Sequence, residues 1–351
     1  MYETMLPPVR FGVVGYGLFG RHHAATIAAT PGADLVAVSA KSAESRATAR
    51  DTHPDVDVYG DFLELIARDD IDIVDIVVPN HLHHAVGRAA LEAGKHVLIE
   101  KPMALSVADC NELVELGRRR GRVVAVNHEL RHSSLWGGVK RLIDEGAIGR
   151  PQHALVELSR FPYRQGSEGW RWDSARVGDW ILEEPIHFFD LARWYLSGCG
   201  EPVTVYARAN SRHAESPQLR DNFSAIVTHD DGAYAVVSQT LAAFEHHVTA
   251  KVAGERGTIW ARWSAADARS DRPTFALRWG LGDEVHDVAL DRPTGELLEL
   301  ADQIAMMVDC VRHGTRPLCS SEDGRWSTRL CLAAARSVET GEVVQLGDAE
   351  P

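Results

Sequence analysis

The sequence predicts an α/β chain in two parts: a doubly wound parallel sheet over residues 1–127, then an α+β part over 128–351 with a largely antiparallel sheet. Three observations carry this. A glycine-patterned turn, Gly15-Tyr16-Gly17-Leu18-Phe19-Gly20, follows the apolar run 9–14 and opens a segment with helical spacing. Apolar runs and helical segments then alternate up to residue 127. Beyond it, extended segments follow one another in near succession.

In the first part strands are expected at 9–14, 34–39, 73–78, 96–99 and 123–126, each a short apolar run of the kind a parallel sheet buries on both faces. Helices between them begin at Leu18 (running to Thr30), Ser42, Asp61, His81 and Ser106. Gly94 stops the fourth, since glycine accepts the left-handed conformation that ends a helix, and Ser106 offers the fifth a capping oxygen. In the second part a helix at 135–145 leads to extended segments at 152–161, 203–210, 223–228, 234–241, 246–252 and 258–262. Helices are expected at 186–196, 297–313 and 324–340, and no repeat or low-complexity tract is present.

Composition fits two domains with sizeable cores: 351 residues, 45% of them apolar. The net charge of −13 argues against nucleic acid or an anionic membrane surface as partner, because either would repel the chain at long range. Residues 1–10 lack a charged-then-apolar leader pattern, and no apolar run approaches the roughly 20 residues that span a bilayer. The five cysteines are an odd number without metal-type or redox-type spacing. A cytoplasmic protein is expected.

The glycine turn has the context a dinucleotide site requires. Gly15 permits the tight turn, Gly17 lets the backbone approach a pyrophosphate, and Gly20 lets helix and strand pack closely, while the N–H groups of the new helix, at Leu18, Phe19 and Gly20, face the anion. The second strand ends in Ser39-Ala40-Lys41-Ser42, where an NAD-preferring site would carry an acidic side chain for the ribose 2′-hydroxyl. No carboxylate is present to repel a 2′-phosphate, and the hydroxyls of Ser39 and Ser42 with the charges of Lys41 and Arg46 suit one. NADP(H) is the expected cofactor, with NAD(H) as the second choice. A solvated loop indifferent to the 2′ position is the alternative reading.

Taken jointly, further residues resemble the glucose-fructose oxidoreductase, inositol dehydrogenase and rhizopine-catabolism group (Gfo/Idh/MocA family). They are the glycine turn; Pro79-Asn80-His81-Leu82-His83 after the fourth strand; Ala93-Gly94-Lys95-His96-Val97 leading to Glu100-Lys101-Pro102; Asn127 and Arg131; and His187 with Asp190. The resemblance covers nearly the whole chain. It implies a Rossmann domain followed by an open-faced sheet domain that covers the nicotinamide and commonly builds the oligomer interface, so a homodimer or homotetramer is expected. It also implies reversible hydride transfer at a secondary alcohol of a sugar, inositol or related polyol.

That chemistry needs a held nicotinamide, a proton acceptor and a cation that stabilises the developing alkoxide. Lys101 is the candidate cation, presented at a strand end where open α/β sheets bind ligands. His187 is the candidate general base in oxidation and acid in reduction; Pro185 is tolerated only in a helix's first turn, which puts His187 near an N-terminus. The positive end of that helix disfavours imidazolium, whereas Glu183, Glu184 and Asp190 favour it. Here the chain departs from the family, which has an aspartate four residues before the histidine and a glycine two before it. Glu183 and Pro185 stand there instead, and Glu183 is the third catalytic candidate. Glutamate keeps the carboxylate but reaches one methylene further.

Asn80 and His83 are expected beside the nicotinamide ribose, and Pro79, Glu100 and Lys101 are further cofactor-binding candidates; two readings of Asn80 and His83 stand, contact with cofactor or capping of the helix. The histidines His22, His23, His81, His83 and His84 invite a metal, but clustered carboxylate or cysteine partners are missing and no metal is expected. Substrate contacts are assigned to Lys101, Arg131, Tyr163, Trp170, Trp172, Glu183 and His187. The segment 161–180 reads as a pocket wall whose aromatic faces cover a sugar ring, or else as a long connection whose tryptophans bury themselves. Its arginines leave a phosphorylated or carboxylated substrate open. A ligand sensor of the same architecture is the alternative function, and intact Lys101 and His187 favour the enzyme.

Overall fold

The computed structural model describes residues 6–212, 220–270 and 272–347. It forms two compact units: one runs to His128 and takes back Leu300–Arg325, and the other comprises Glu129–Glu299 and the chain from Trp326 onward.

The first unit is built from β1 (Val9–Val14), α1 (Leu18–Ala29), β2 (Ala33–Ser39), α2 (Ala43–Thr52), β3 (Asp57–Tyr59), α3 (Phe62–Ile66), β4 (Ile73–Ile76), α4 (His83–Glu92), β5 (His96–Glu100), α5 (Val107–Arg120) and β6 (Val124–Asn127). All six strands are parallel in the order β3-β2-β1-β4-β5-β6, the doubly wound topology. The order reverses between β1 and β4, so the ends of β1, β4 and β5 line one sheet edge at the switch point. On one face Phe11, Val13, Ile27 and Leu98 are buried with Ile304, Met307 and Val308 from the returning segment; on the other, Leu65, Val86, Leu91, Ile99 and Leu113 pack together.

Local signals account for the boundaries. Gly94 adopts φ +75° and, with Lys95, returns N–H groups to the carbonyls of Leu91 and Ala90, which closes α4. Ser42, Asp61 and Ser106 each cap the helix that follows, accepting from the N–H of Ser45, Leu63 and Asp109. The fourth helix opens with a 3₁₀ turn, Asn80–Leu82. The three residues of β3 are too short a run to show any period, and they were not expected.

The second unit begins with α6 (Trp136–Asp144) and β7 (Pro151–Arg160), continues through α7 (Ser174–Val177), α8 (Trp180–Glu183) and α9 (Pro185–Tyr195), and then runs through β8 (Pro202–Asn210), β9 (Asn222–His229), β10 (Tyr234–Thr240), β11 (His246–Gly254), β12 (Gly257–Ala265), β13 (Thr274–Leu281) and β14 (Glu284–Val288). Helices α10 (Glu296–His313) and α11 (Ser321–Thr340) carry the chain into the first unit and back, and β15 (Val344–Gln345) ends it. The nine strands form one sheet, β14-β13-β12-β11-β7-β10-β9-β8-β15, antiparallel except where β7 and β10 run parallel. One face is buried: Ala154, Val156, Leu158, Ala235, Val237, Val252, Ile259 and Ala261 alternate inward, and α6 and α9 pack on this sheet. Strands β13 and β14 were not expected, because β14 is largely exposed and shows no apolar alternation. Among the described residues no helix is long and apolar enough to cross a membrane.

Candidate active site

At the glycine turn two glycines serve the protein's own packing and one does not. A Cβ on Gly15 (φ +105°) would lie 2.1 Å from the Val77 carbonyl oxygen, and one on Gly20 would lie 2.0 Å from that of Gly15. Around Gly17 a Cβ meets nothing within 4 Å. Gly17 is the N-cap of α1, no side chain caps the helix there and no acidic residue stands in its first turn. An open backbone cradle at the positive end of a helix fits a dinucleotide pyrophosphate.

At the end of β2, Ser39 and Ala40 are buried, whereas Lys41 and Ser42 are exposed. Ser42 spends its hydroxyl on capping α2. Arg46 donates through Nη1 to the carbonyls of Ala40 and Lys41 at 2.9 and 2.7 Å, so it braces the loop from within. No carboxylate occurs from 39 to 42, and Lys41 is the charge this loop exposes.

The ends of β4 and β5 carry the next group. His83 is fully buried, its ring nitrogens 2.6 Å from the Pro102 carbonyl and 2.8 Å from that of Val78, so it pins the turn after β4 to the turn after β5. Burial lowers its pKa, against the opposing pull of the Pro102 and Val78 carbonyls. Asn80 is buried and Pro79 half-buried in the same turn. Lys101 follows the last residue of β5, is half-buried, and is joined to Pro102 by a cis peptide bond. Glu100 is buried: it accepts from Asn127 Nδ2 and lies 3.1 Å from His23 Nε2, while His23 Nδ1 contacts Asp75 at 2.8 Å. Asp75 was not among the expected residues, although a carboxylate inside the apolar run 73–78 is itself a signal that something buried must answer it. His84 pairs with Glu112 at 2.9 Å.

In the second unit α9 starts at Pro185, which puts His187 in its first turn as expected. His187 is buried, and its Nε2 lies 3.7 Å from a carboxylate oxygen of Glu129. The carboxylates expected to influence it have other partners. Glu183 accepts from Arg171 Nε at 2.5 Å, Glu184 from Arg160, and Asp190 takes both arms of Arg131 at 2.7 Å together with the Ser327 hydroxyl at 3.0 Å. Arg131 is buried, with its guanidinium over the Trp194 ring. Glu129 and Ser327 went unnoticed in the sequence, because neither has a spacing that marks it.

Segment 161–180 is a small core as well as a connection. Tyr163, Trp170, Val177 and Trp180 are buried together with Leu241, and Trp172 packs partly buried against them. Trp180 receives Tyr163 and Trp172 edge-on, and the Tyr163 hydroxyl donates to Gln239 at 2.8 Å. Each arginine of the segment has an acidic neighbour: Arg171 with Glu183, Arg176 with Glu168, and Arg164 with Asp267 at 3.7 Å.

Comparison with known proteins identifies the lineage. Residues 9–128 match the model of an oxidoreductase family with an NAD-binding Rossmann fold, and residues 137–260 match the GFO/IDH/MocA C-terminal domain. The chain is 31% identical over 346 residues to inositol 2-dehydrogenase 1 of Saccharopolyspora erythraea, covering 96% of each protein. It is 27% identical to 1,5-anhydro-D-fructose reductase of Ensifer adhaerens, over 96% of this chain and 98% of that one. Aldose-aldose oxidoreductase of Caulobacter crescentus, solved with glycerol, has the same fold at a TM-score of 0.83 and 24% identity, over 97% of this chain and 100% of that one. The glycine turn, the Rossmann strand order and these matches along both parts make the chain a member of the GFO/IDH/MocA family of NAD-binding oxidoreductases.

Proposed function

We propose that the protein is a cytoplasmic, homo-oligomeric dehydrogenase or reductase that transfers hydride between a nicotinamide cofactor and a secondary alcohol or ketone of an uncharged sugar, inositol or related polyol. One observation carries the reading: the family's lysine is intact at Lys101, on the same sheet edge as the open cradle of Gly17. The inositol and anhydrofructose relatives support the substrate class. Charge supports its neutrality, because Arg160, Arg171 and Arg176 are each compensated by a carboxylate of their own unit and offer no spare charge to an anionic substrate.

Gly15 to Gly20 would hold the pyrophosphate, and Lys41 and Ser42 the adenosine ribose. A bound nicotinamide supplies the hydride acceptor or donor. Lys101 presents its ammonium to the reacting oxygen, where a fixed cation stabilises alkoxide far better than water does. His187 takes the hydroxyl proton at Nε2 in oxidation and returns it in reduction, and the Glu129 carboxylate 3.7 Å away stabilises the imidazolium so formed. Glu183, held by Arg171, orients a substrate hydroxyl rather than moving a proton. The missing carboxylate at 39–42 and the exposed Lys41 favour NADP(H) over NAD(H).

Nicotinamide absorbance on a panel of polyols and keto-sugars tests the reading. Lys101→Ala is expected to lose at least about 100-fold in kcat while its nucleotide Kd, measured by fluorescence titration, stays within about threefold. Turnover unchanged by that substitution removes Lys101 from the chemistry. A protein that binds nucleotide yet turns over nothing on the panel is a sensor.

A further inference from the structure

Deep in the first unit, one side chain joins the two segments that the proposed chemistry needs in register. His23 belongs to α1, the helix entered through the glycine turn, and has no exposed surface. Its Nδ1 meets Asp75 of β4 at 2.8 Å, and its Nε2 reaches Glu100, the last residue of β5, at 3.1 Å. Glu100 in turn accepts from Asn127 at the end of β6 and is followed directly by Lys101. Phe19, within the glycine turn, packs edge-on against the imidazole with ring centroids 4.9 Å apart. The helix of the nucleotide turn, β4 and β5 thus meet at a single ring, and Glu100 extends the link to β6 and to the residue next to it, Lys101.

We propose that His23 is a positioning residue, which acts through Glu100 to fix Lys101 in register with the glycine turn. The proposal rests on the reading of Lys101 as the cation that meets the substrate oxygen.

Three physical arguments support it. A neutral imidazole donates one N–H, so carboxylates at both ring nitrogens are satisfied together only by imidazolium. Burial opposes that charge, but Asp75 and Glu100 outweigh it and hold the ring protonated up to about 10. Burial likewise pushes Glu100 up, yet His23, Asn127 and Lys101 bring it below the usual carboxylate range, while Asp75, where burial dominates, is pushed up. The groups facing this cluster are therefore Asp75 from β4, Glu100 from β5, Asn127 from β6, Lys101 beyond β5, and His83 at the start of α4, itself under the influence of Glu100. Second, the ring is rigid, hydrogen-bonded to Asp75 at one end and in ion-pair contact with Glu100 at the other, so it constrains the separation of its two partners as a flexible lysine would not. Third, well-packed apolar side chains commonly hold a helix on a sheet as firmly as a buried ion pair does. What the cluster adds is register at the strand ends.

The test pairs kinetics with a direct reading of the ring. His23→Gln is expected to lower kcat about 10- to 100-fold with KM within about threefold, since small misplacements of a reacting group cost on that order. The double substitution His23→Gln with Asp75→Asn removes a buried acid along with the cation, and should recover thermal stability without recovering kcat. Nitrogen NMR of the unaltered protein should show His23 as imidazolium at about pH 8. Recovery of kcat together with stability in the double variant reduces His23 to a structural role and overturns the proposal. So does parent-like kcat in His23→Gln while Lys101→Ala is inactive, or a neutral ring at that pH. If His23→Gln fails to fold, the NMR reading on the parent decides. Turnover retained by Lys101→Ala sinks the functional reading itself, an outcome distinct from failure of His23→Gln alone.

Discussion

At the scale of single residues, charge in this chain is mostly spent on other charge. Arg131 gives both arms to Asp190, Arg171 one to Glu183, and Arg160 one to Glu184. Removing one member of a buried pair such as Arg131 and Asp190 typically costs about 3–5 kcal/mol, so Arg131 is fixed by its partner before any ligand arrives, and the half-buried Arg160 and Arg171 are held less firmly. Lys41 differs because it is exposed beside the end of β2. Lys41→Glu should weaken NADP(H) binding about tenfold, near 1.4 kcal/mol, and leave NAD(H) within about twofold; equal effects on both would dismiss the 2′-phosphate contact. His96 carries a pH prediction. Its Nδ1 accepts the Val123 N–H at 3.0 Å, and burial with the nearby Arg122 charge brings its pKa down to about 4. The folded state thus keeps the ring neutral, and the stability it contributes is full above the unfolded value of about 6.5 and is lost as pH falls towards 4. Solvent near the ring limits this to the order of 1 kcal/mol. His96→Gln should flatten the fall in melting temperature over that range, and an unchanged slope would clear His96 of the effect. The candidate catalytic residues Lys101, Glu183 and His187 stand out in the sequence because each lies at a strand or helix end near a proline. Glu129, Ser327 and Asp75 do not, because their partners are 58, 137 and 52 residues away along the chain, at His187, Asp190 and His23.

Elements were legible wherever the backbone itself forces the residue type. Gly94 and Ser106 end and start helices for reasons internal to a few residues, and the structure follows both. The short β3 and the exposed β14 depend on neighbours in the sheet, so their sequences show no period. The glycine turn separates two demands that sequence alone merges. Gly17→Ala should leave melting temperature within a degree or two, because φ is −75° and a Cβ there meets nothing within 4 Å, yet it should weaken nucleotide binding at least about tenfold. Gly20→Ala should destabilise the fold as well, because the new Cβ would lie 2.0 Å from the Gly15 carbonyl oxygen. Calorimetry and nucleotide titration on the two variants distinguish these demands. Binding retained by Gly17→Ala would mean that the cradle does not face the pyrophosphate.

For the whole molecule, the unresolved demand is the second face of the nine-stranded sheet. Register lines up one row across it: Tyr206 beside Ile226, Ile226 beside Val236, Val236 beside Leu155, Leu155 beside Lys251, and Lys251 beside Trp260. Trp260 is 62% exposed and Ile226 43%, whereas the residues between them in sequence that point the other way form the core. The two-residue period made this alternation readable from sequence, but only pairing shows that the apolar members fall side by side. The row is apolar from Tyr206 through Ile226 and Val236 to Leu155, and Trp260 lies beyond Lys251; an apolar stretch of this kind on a sheet face marks an association surface, and a two-fold axis would let it meet itself. A charge set in the middle of such a surface must be desolvated in the assembly but stays hydrated in the free chain. Ile226→Glu should therefore lower the mass measured by light scattering from a dimer or tetramer towards the monomer, while far-ultraviolet circular dichroism stays that of the parent. Parent protein that is already monomeric at micromolar concentration, or a variant that keeps the parent's mass, would show that this row meets water and that association, if any, uses another surface.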